Sequence, residues 1–297
     1  MAVITGKIES LKKLKALLND AGINRFNSVG QINAFLKNFE SERKEIPEAA
    51  RMMLDKELRG IEDLILRALE RRKISPIYKL IYYFRLTSLT RKKSKIEINY
   101  EKLLSAKSKE LYKTLDFTKE VVDGLYTTIA GAIGEYATIQ ELKKLPNSYY
   151  VINDYSLNLV PPIFNKKEGD KILSIQIDHL LICKAGVFIL ESKNWSNKSI
   201  ESLDLRSPIK QISRTSYALF ILLNSKSKIK LTKHHWGSKR IPIRCIIVMT
   251  KGKPKLEYKH VKVLTVNELN NYIQYFDEIF EEEDVNKIFN HLNEKMV

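Results

Sequence analysis

The sequence predicts an α/β fold, a mixed sheet flanked by helices and preceded by an all-helical N-terminal region. Two observations carry this. Up to about residue 145 apolar residues recur at spacings of three and four, and from about residue 147 short β-rich runs take over, interrupted by one long apolar helix. In the first stretch Leu11, Leu14, Leu17 and Leu18, then Met53, Leu54, Leu58, Ile61, Leu64, Ile65 and Leu69, mark amphipathic helices, three to five in all. Gly22 and Gly30 punctuate them, Pro47 is placed to open a helix with Glu48 in its first turn, and Ser75-Pro76 breaks the pattern.

The β-rich runs are 149–153, 172–183, 187–192, 244–249 and 261–265, with a helix from Ser207 as N-cap, through Pro208, to Leu223 and a final helix at the end. Ile177 to Cys183 and Val187 to Leu190 are apolar at both alternating sets, so this hairpin is expected at the centre of the sheet and covered on both sides. The chain therefore divides into a helical basic region, 1–119, and an α/β domain, 120–297.

Among its 297 residues, 51 are Lys or Arg and 35 are Asp or Glu, a net charge of +16 that points to an anionic partner or to solubility alone. Between Arg67 and Lys95 ten bases stand against one acid, Glu70, with Tyr78, Tyr82, Tyr83 and Phe84 among them. Bases mixed with aromatics suit phosphates and unstacked bases, and equally a helix with aromatics inward and lysines in water. Arg71, Arg72, Lys73, Arg91, Lys92 and Lys93 are the candidate nucleic-acid contacts. The six acids between Asp277 and Asp284 read as a solvated helix face. Two cysteines build neither a disulfide framework nor a four-thiolate zinc site, and the longest apolar run, Tyr217 to Leu223, is far short of the ~20 residues of a membrane helix. With no apolar signal stretch at the N-terminus, a soluble cytoplasmic protein without a membrane partner is expected.

Three charges sit where a buried hairpin should have none: Asp178, Glu191 and Lys193. With Lys184-Ala185 as the loop, Cys183 pairs with Gly186 and Asp178 falls opposite Glu191; a three-residue loop would make them diagonal neighbours instead. Lys193 shares the face of Glu191. The group is either a structural ion pair or a site in which facing carboxylates hold Mg²⁺ or Mn²⁺ and a lysine offsets charge on a scissile phosphate.

Asp178-His179-Leu180-Leu181-Ile182, a turn with Gly186, then Val187-Phe188-Ile189-Leu190-Glu191-Ser192-Lys193-Asn194-Trp195 resembles the NERD (nuclease-related) domain of the PD-(D/E)xK restriction-endonuclease-like superfamily. Gly131-Ala132-Ile133-Gly134-Glu135 and Ser207-Pro208-Ile209-Lys210-Gln211 resemble two further motifs of that family, whose usual Asn stands as Ser207 here. The resemblance spans about 125–270 and implies a restriction-endonuclease-like sheet. It further implies Asp178, Glu191 and the Ser192 carbonyl as metal ligands and Lys193 as the water-positioning or charge-stabilising residue. Glu135 would approach from its helix, which Gly131 and Gly134 bring close to the sheet, and Gln211 from the helix that follows. His179 falls on the opposite face from Asp178 and reads as structural.

The function implied is a Mg²⁺- or Mn²⁺-dependent nuclease acting on DNA in preference to RNA, in bacterial defence against foreign DNA or in DNA processing. The alternatives are an inactive nucleic-acid-binding or scaffold protein and a protein–protein module, with residues 1–119 as an oligomer or partner surface. His234-His235 reads as a loop, Cys183 and Cys245 as inert core thiols, and Lys251–Lys255 as a phosphate contact or a solvated turn. No phosphate-loop sequence of an ATPase is present.

Overall fold

Pairing of β-rich runs that lie far apart in the chain builds the sheet. In a computed structural model that describes residues 1–73, 76–195, 206–224, 229, 231, 240–254 and 257–295, six strands are ordered β1-β2-β3-β4-β5-β6. They are β1 (Val3–Thr5), β2 (Tyr150–Asn165), β3 (Asp170–Cys183), β4 (Gly186–Lys193), β5 (Ile243–Met249) and β6 (Val261–Thr265). The β2–β3 and β3–β4 pairs are antiparallel, and β1–β2, β4–β5 and β5–β6 are parallel, so the sheet is mixed. The helices are α1 (Glu9–Asp20), α2 (Val29–Arg72), α3 (Pro76–Ile98), α4 (Tyr100–Gly124), α5 (Tyr126–Leu142), α6 (Arg206–Asn224), α7 (Val266–Gln274) and α8 (Glu282–Asn293).

Two units follow from the contacts, Met1–Asp20 with Leu125–Val297, and Ala21–Gly124. The first twenty residues were expected in the helical region; they belong with the sheet instead. Val3 to Thr5 pair with Tyr150 to Ile152, and α1 packs on α5. A three-residue strand shows no alternation of its own and becomes visible only through its partner. At the other boundary the α/β unit resumes at Leu125 rather than 120.

Strands β3 and β4 are central, as expected, and covered on both faces. On one face Val187, Ile189 and Leu180 pack with Ile212, Ala218 and Leu219 of α6 and Val285, Ile288 and Leu292 of α8. On the other, Phe188, Leu190 and Leu181 pack with Ile139 and Leu142 of α5 and Leu269 and Ile273 of α7. Burying about ten such side chains at ~1.5–3 kcal/mol each is the main force holding the hairpin in place. Gly186 enters β4 at φ 124°, and a Cβ there would meet the Pro242 side chain at 2.7 Å and its carbonyl oxygen at 2.8 Å. Gly186→Ala is therefore expected to lower stability by about 2 kcal/mol or more, read as a shift of the thermal midpoint.

Other departures from the sequence reading have local causes. Pro47 lies inside α2 rather than at its start. Its missing N–H costs the helix one bond, but Ile46, Ala50 and Leu54 form a continuous buried stripe across it, and α2 packs along α3 and α4. Gly30 falls in the first turn of α2, whose N-cap is Ser28, accepting from the Gln31 N–H at 3.3 Å. Strand β2 runs on to Asn165 through Pro161 and Pro162, because a register shift between Asn158 and Ile163 takes the two prolines out of the ladder. Helix α6 begins at Arg206, which puts Ser207 inside the first turn, and the expected single final helix is two, α7 and α8. Among the described residues no helix is long and apolar enough to cross a membrane.

Candidate active site

The β3–β4 turn fixes everything that follows. Cys183 pairs with Gly186 and the pairing runs to His179 opposite Leu190, so the loop is Lys184-Ala185, and the same register extended by one residue brings Asp178 opposite Glu191. The two carboxylates and Lys193 thus gather at the end of the hairpin where β3 and β4 part. Asp178 is half-buried and Glu191 buried. The Ser192 N–H donates to Asp178 Oδ2 at 2.8 Å, and Lys193 Nζ donates to Glu191 Oε1 at 2.8 Å.

The end of β4 is held from two sides. The Lys193 carbonyl accepts from the Thr250 N–H at 3.2 Å, and the Thr250 hydroxyl donates to Asn194 Oδ1. From α5, Thr138 gives its hydroxyl proton to the Gly134 carbonyl at 3.0 Å, which leaves Thr138 Oγ1 to accept from the Ser192 hydroxyl at 2.8 Å. These bonds aim Ser192 toward α5 while Glu191 and Lys193 face the other side of the strand.

Electrostatics bind the group into one unit. Burial pushes the Asp178 carboxyl well above the usual carboxylate range, and the negative charges of Glu191 and Glu135 push it further. Glu135, half-buried on α5, is pushed up to about 7, first by burial and then by the neighbouring carboxylates of Asp154 and Glu191. Burial works against the charge of Lys193, but attraction to Glu191, Asp178 and Glu135 outweighs it and raises the ammonium above its ordinary value. Lys193 therefore stays protonated at neutral pH.

Asp154 was missed in the sequence, whose β-rich run was closed at Asn153. It lies on β2 at the rung facing Asp178, where the pairing is interrupted, and its φ is 49°. Aspartate tolerates that conformation better than most residues. Gln176 Nε2 donates to its Oδ1 at 2.9 Å. An Asn-Asp pair within a β-rich run was the available signal.

The other expected residues divide. His179 is fully buried on the opposite face, Nδ1 at 2.9 Å from Asn153 Oδ1, and burial lowers it to about 3, so it is a neutral structural group. Gln211 is exposed on α6, and among the described residues no hydrogen bond ties it to Asp178, Glu191 or Lys193. Gly134 lies against the end of β4, 3.4 Å from a built Cβ to Asn194 Cβ, whereas Gly131 has open space around it. The expected packing role of Gly131 is thus absent, and Gly131→Ala should raise the thermal midpoint by relieving up to ~1 kcal/mol of helix cost. Cys183 and Cys245 are buried free thiols, and burial pushes Cys183 up to about 11. Lys253 pairs with Glu268, while His234, His235 and Lys255 lie outside the described residues.

The six bases of the helical unit sit on α2 and α3 and in the turn after α2. Arg71 donates to the Tyr82 hydroxyl at 3.2 Å, Arg72 lies 6.0 Å from the Tyr83 ring centroid, and Lys73 follows the end of α2. Lys92 pairs with Glu57 at 2.9 Å and Lys93 with Glu62 at 2.7 Å, while Arg91 is exposed. Such surface pairs contribute at most ~1 kcal/mol each and leave the lysines at the surface.

The donor set offers two oxygen ligands to a hard divalent cation. Mg²⁺ is commonly held by one or two carboxylates, completed by water and substrate oxygens, and Asp178 with Glu191 supplies two. Among the described residues no group of three or more His, Cys, Asp and Glu forms a fuller cage. No curated protein and no solved structure is significantly similar to the chain. Residues 130–250 match the family model of the nuclease-related domain, NERD, and Glu135, Asp178, Glu191, Lys193 and Gln211 all fall within the matched stretch.

Proposed function

We propose that the α/β unit is a metal-dependent phosphodiester hydrolase whose substrate is nucleic acid, DNA before RNA. The observation that carries this reading is the pairing of half-buried Asp178 with buried Glu191, with Lys193 held 2.8 Å from Glu191 at the open end of the hairpin. Charges so placed are costly to bury, and a purely structural pair would need one acid, not two. Asp178, Glu191 and the Ser192 carbonyl would hold Mg²⁺ or Mn²⁺, which supplies Lewis-acid polarisation and an activated water when bound. Lys193, kept charged by its three acidic neighbours, would meet the negative charge that builds on the scissile phosphate. Glu135, with its carboxyl poised near neutrality, would accept or return a proton at its Oε atoms, and Gln211 would bind a phosphate oxygen from α6. A role in defence against foreign DNA or in DNA processing accords with this chemistry.

A second reading, a nucleic-acid-binding or scaffold protein that keeps the fold without cleavage, is favoured by the sparse donor set, two facing carboxylates already engaged by the Ser192 N–H and Lys193. Labelled DNA and RNA, linear and circular, incubated with Mg²⁺, Mn²⁺ or chelator separate the two. Metal-dependent shortening of DNA supports hydrolysis; salt-sensitive binding without cleavage under either metal supports the second.

A further inference from the structure

Helix α3 is apolar on two sides. Toward α2 it buries Tyr82 and Leu86 against Ala68 and Ile65. Residues two positions from Tyr82 lie about 200° around the helix, so Leu80 and Phe84 point the other way. They are 65% and 66% exposed, and Ile81 between them is 56% exposed. Tyr78, Tyr83 and, on the last turns of α2, Leu66 are exposed as well. A helix that packs one face against a neighbour ordinarily carries polar residues on the opposite one. Here that face turns chiefly polar only beyond Leu86.

The same end of the α2–α3 hairpin carries Arg67, Arg71, Arg72, Lys73, Lys79 and Arg85 against the single acid Glu70. Unlike Lys92 and Lys93, none of these six is in an ion pair among the described residues. The end of the hairpin therefore joins an exposed apolar face to a cationic flank, with Arg71 and Arg85 lying toward Tyr82 at its edge, a combination that restricts what can cover it. A second copy of the face would bring six bases against six. Nucleic acid matches the charge and could stack on Tyr83 and Phe84, but gives no burial to Leu66, Leu80 and Ile81.

We propose that this face binds the surface of an anionic lipid bilayer, with Leu80, Ile81 and Phe84 entering the boundary between headgroups and acyl chains. The flanking arginines and lysines pair with the headgroup phosphates. Long basic side chains suit this, since their stems lie along apolar surface while their charges reach out. Arg71, Arg72 and Lys73, expected from sequence to grip nucleic acid, are headgroup ligands in this arrangement. The contact is peripheral, and it is independent of the site on β3 and β4.

Co-sedimentation of the full chain with vesicles tests it. With phosphatidylcholine and phosphatidylglycerol in equal parts the wild type pellets, less so as salt rises; with phosphatidylcholine alone it stays in solution. Leu80→Ser/Phe84→Ser replaces two exposed side chains, so the melting curve stays that of the wild type, while affinity for the anionic vesicles falls at least ~10-fold. Arg71→Gln/Arg72→Gln/Lys73→Gln weakens it likewise. Absence of pelleting with anionic vesicles overturns the proposal, as does undiminished pelleting of Leu80→Ser/Phe84→Ser. So does a loss, in that variant, of dimer mass or of oligonucleotide affinity with vesicle binding intact, which reassigns the face to a second copy or to nucleic acid.

Discussion

Asp178→Asn and Lys193→Ala are each expected to abolish the proposed metal-dependent cleavage of DNA, lowering the rate by about 10²–10³-fold or more, yet to differ in stability. The difference follows from what each side chain holds. In Asp178→Asn the amide oxygen still accepts the Ser192 N–H, now 2.8 Å from Oδ2, so the end of β4 keeps its support. The fold also loses a carboxyl that burial and Glu191 already disfavour as an anion. This variant is therefore inactive and as stable as the wild type. Lys193→Ala strips Glu191, only 8% exposed, of its partner, and an unpaired buried carboxylate costs about 1–3 kcal/mol. It is inactive and less stable; activity and thermal midpoint measured together separate the two effects.

Without divalent metal, the raised carboxyl of Glu135 takes stability from the folded chain as pH rises from about 4.5 to about 7. Glu135 has its carboxyl raised from 4.5 to about 7 in the folded chain, and Asp178 is raised in the same direction. In that window the folded state holds protons that the unfolded state has released, so raising the pH favours unfolding. The stabilisation is fully present below pH 4.5 and gone above about 7, and for Glu135 it is on the order of 2 kcal/mol after screening is allowed for. Glu268, held down to about 2 chiefly by Lys253, acts only below pH 4.5, whereas His179, lowered by burial from 6.5 to about 3, adds stability as pH rises to about 6.5, so the Glu135 contribution is read as the difference between wild type and Glu135→Gln. Glu135→Gln removes that contribution and so changes the slope, and Mg²⁺ or Mn²⁺ reduces it by favouring the ionised form. Denaturant unfolding at a series of pH values, with chelator or metal, reads this out; an unchanged slope in Glu135→Gln would contradict it.

What could be read in the sequence is what short-range pattern encodes. The apolar runs on either side of Lys184-Ala185 marked the hairpin and the proximity of Asp178 to Glu191, while the choice between a two- and a three-residue loop is settled by Cys183 pairing with Gly186. Ser75-Pro76 marked the break before α3, which starts at Pro76. Long-range partners were not readable. Val3 to Thr5 form a strand only because Tyr150 to Ile152 lie beside them, and α2 runs through Pro47 because its buried stripe outweighs one lost bond. In the site, Thr138 and Thr250 are ordinary hydroxyl residues until α5 and β5 bring them to Ser192 and Asn194. Asp154 hides for the same reason, its effect on Glu135 arising from β2 and α5 meeting in space. The basic aromatic stretch was visible, but whether its apolar residues face inward or outward depends on which side α2 covers.

Calorimetric titration of Mn²⁺ into the full chain measures the central claim without relying on turnover. One site is expected in the wild type, with affinity rising with pH through about 7 as Glu135 and Asp178 give up their protons. Asp178→Asn loses that site while keeping the wild-type melting curve. Equal Mn²⁺ binding by wild type and Asp178→Asn, or none by either, contradicts the assignment of Asp178 and Glu191 as the metal-holding pair.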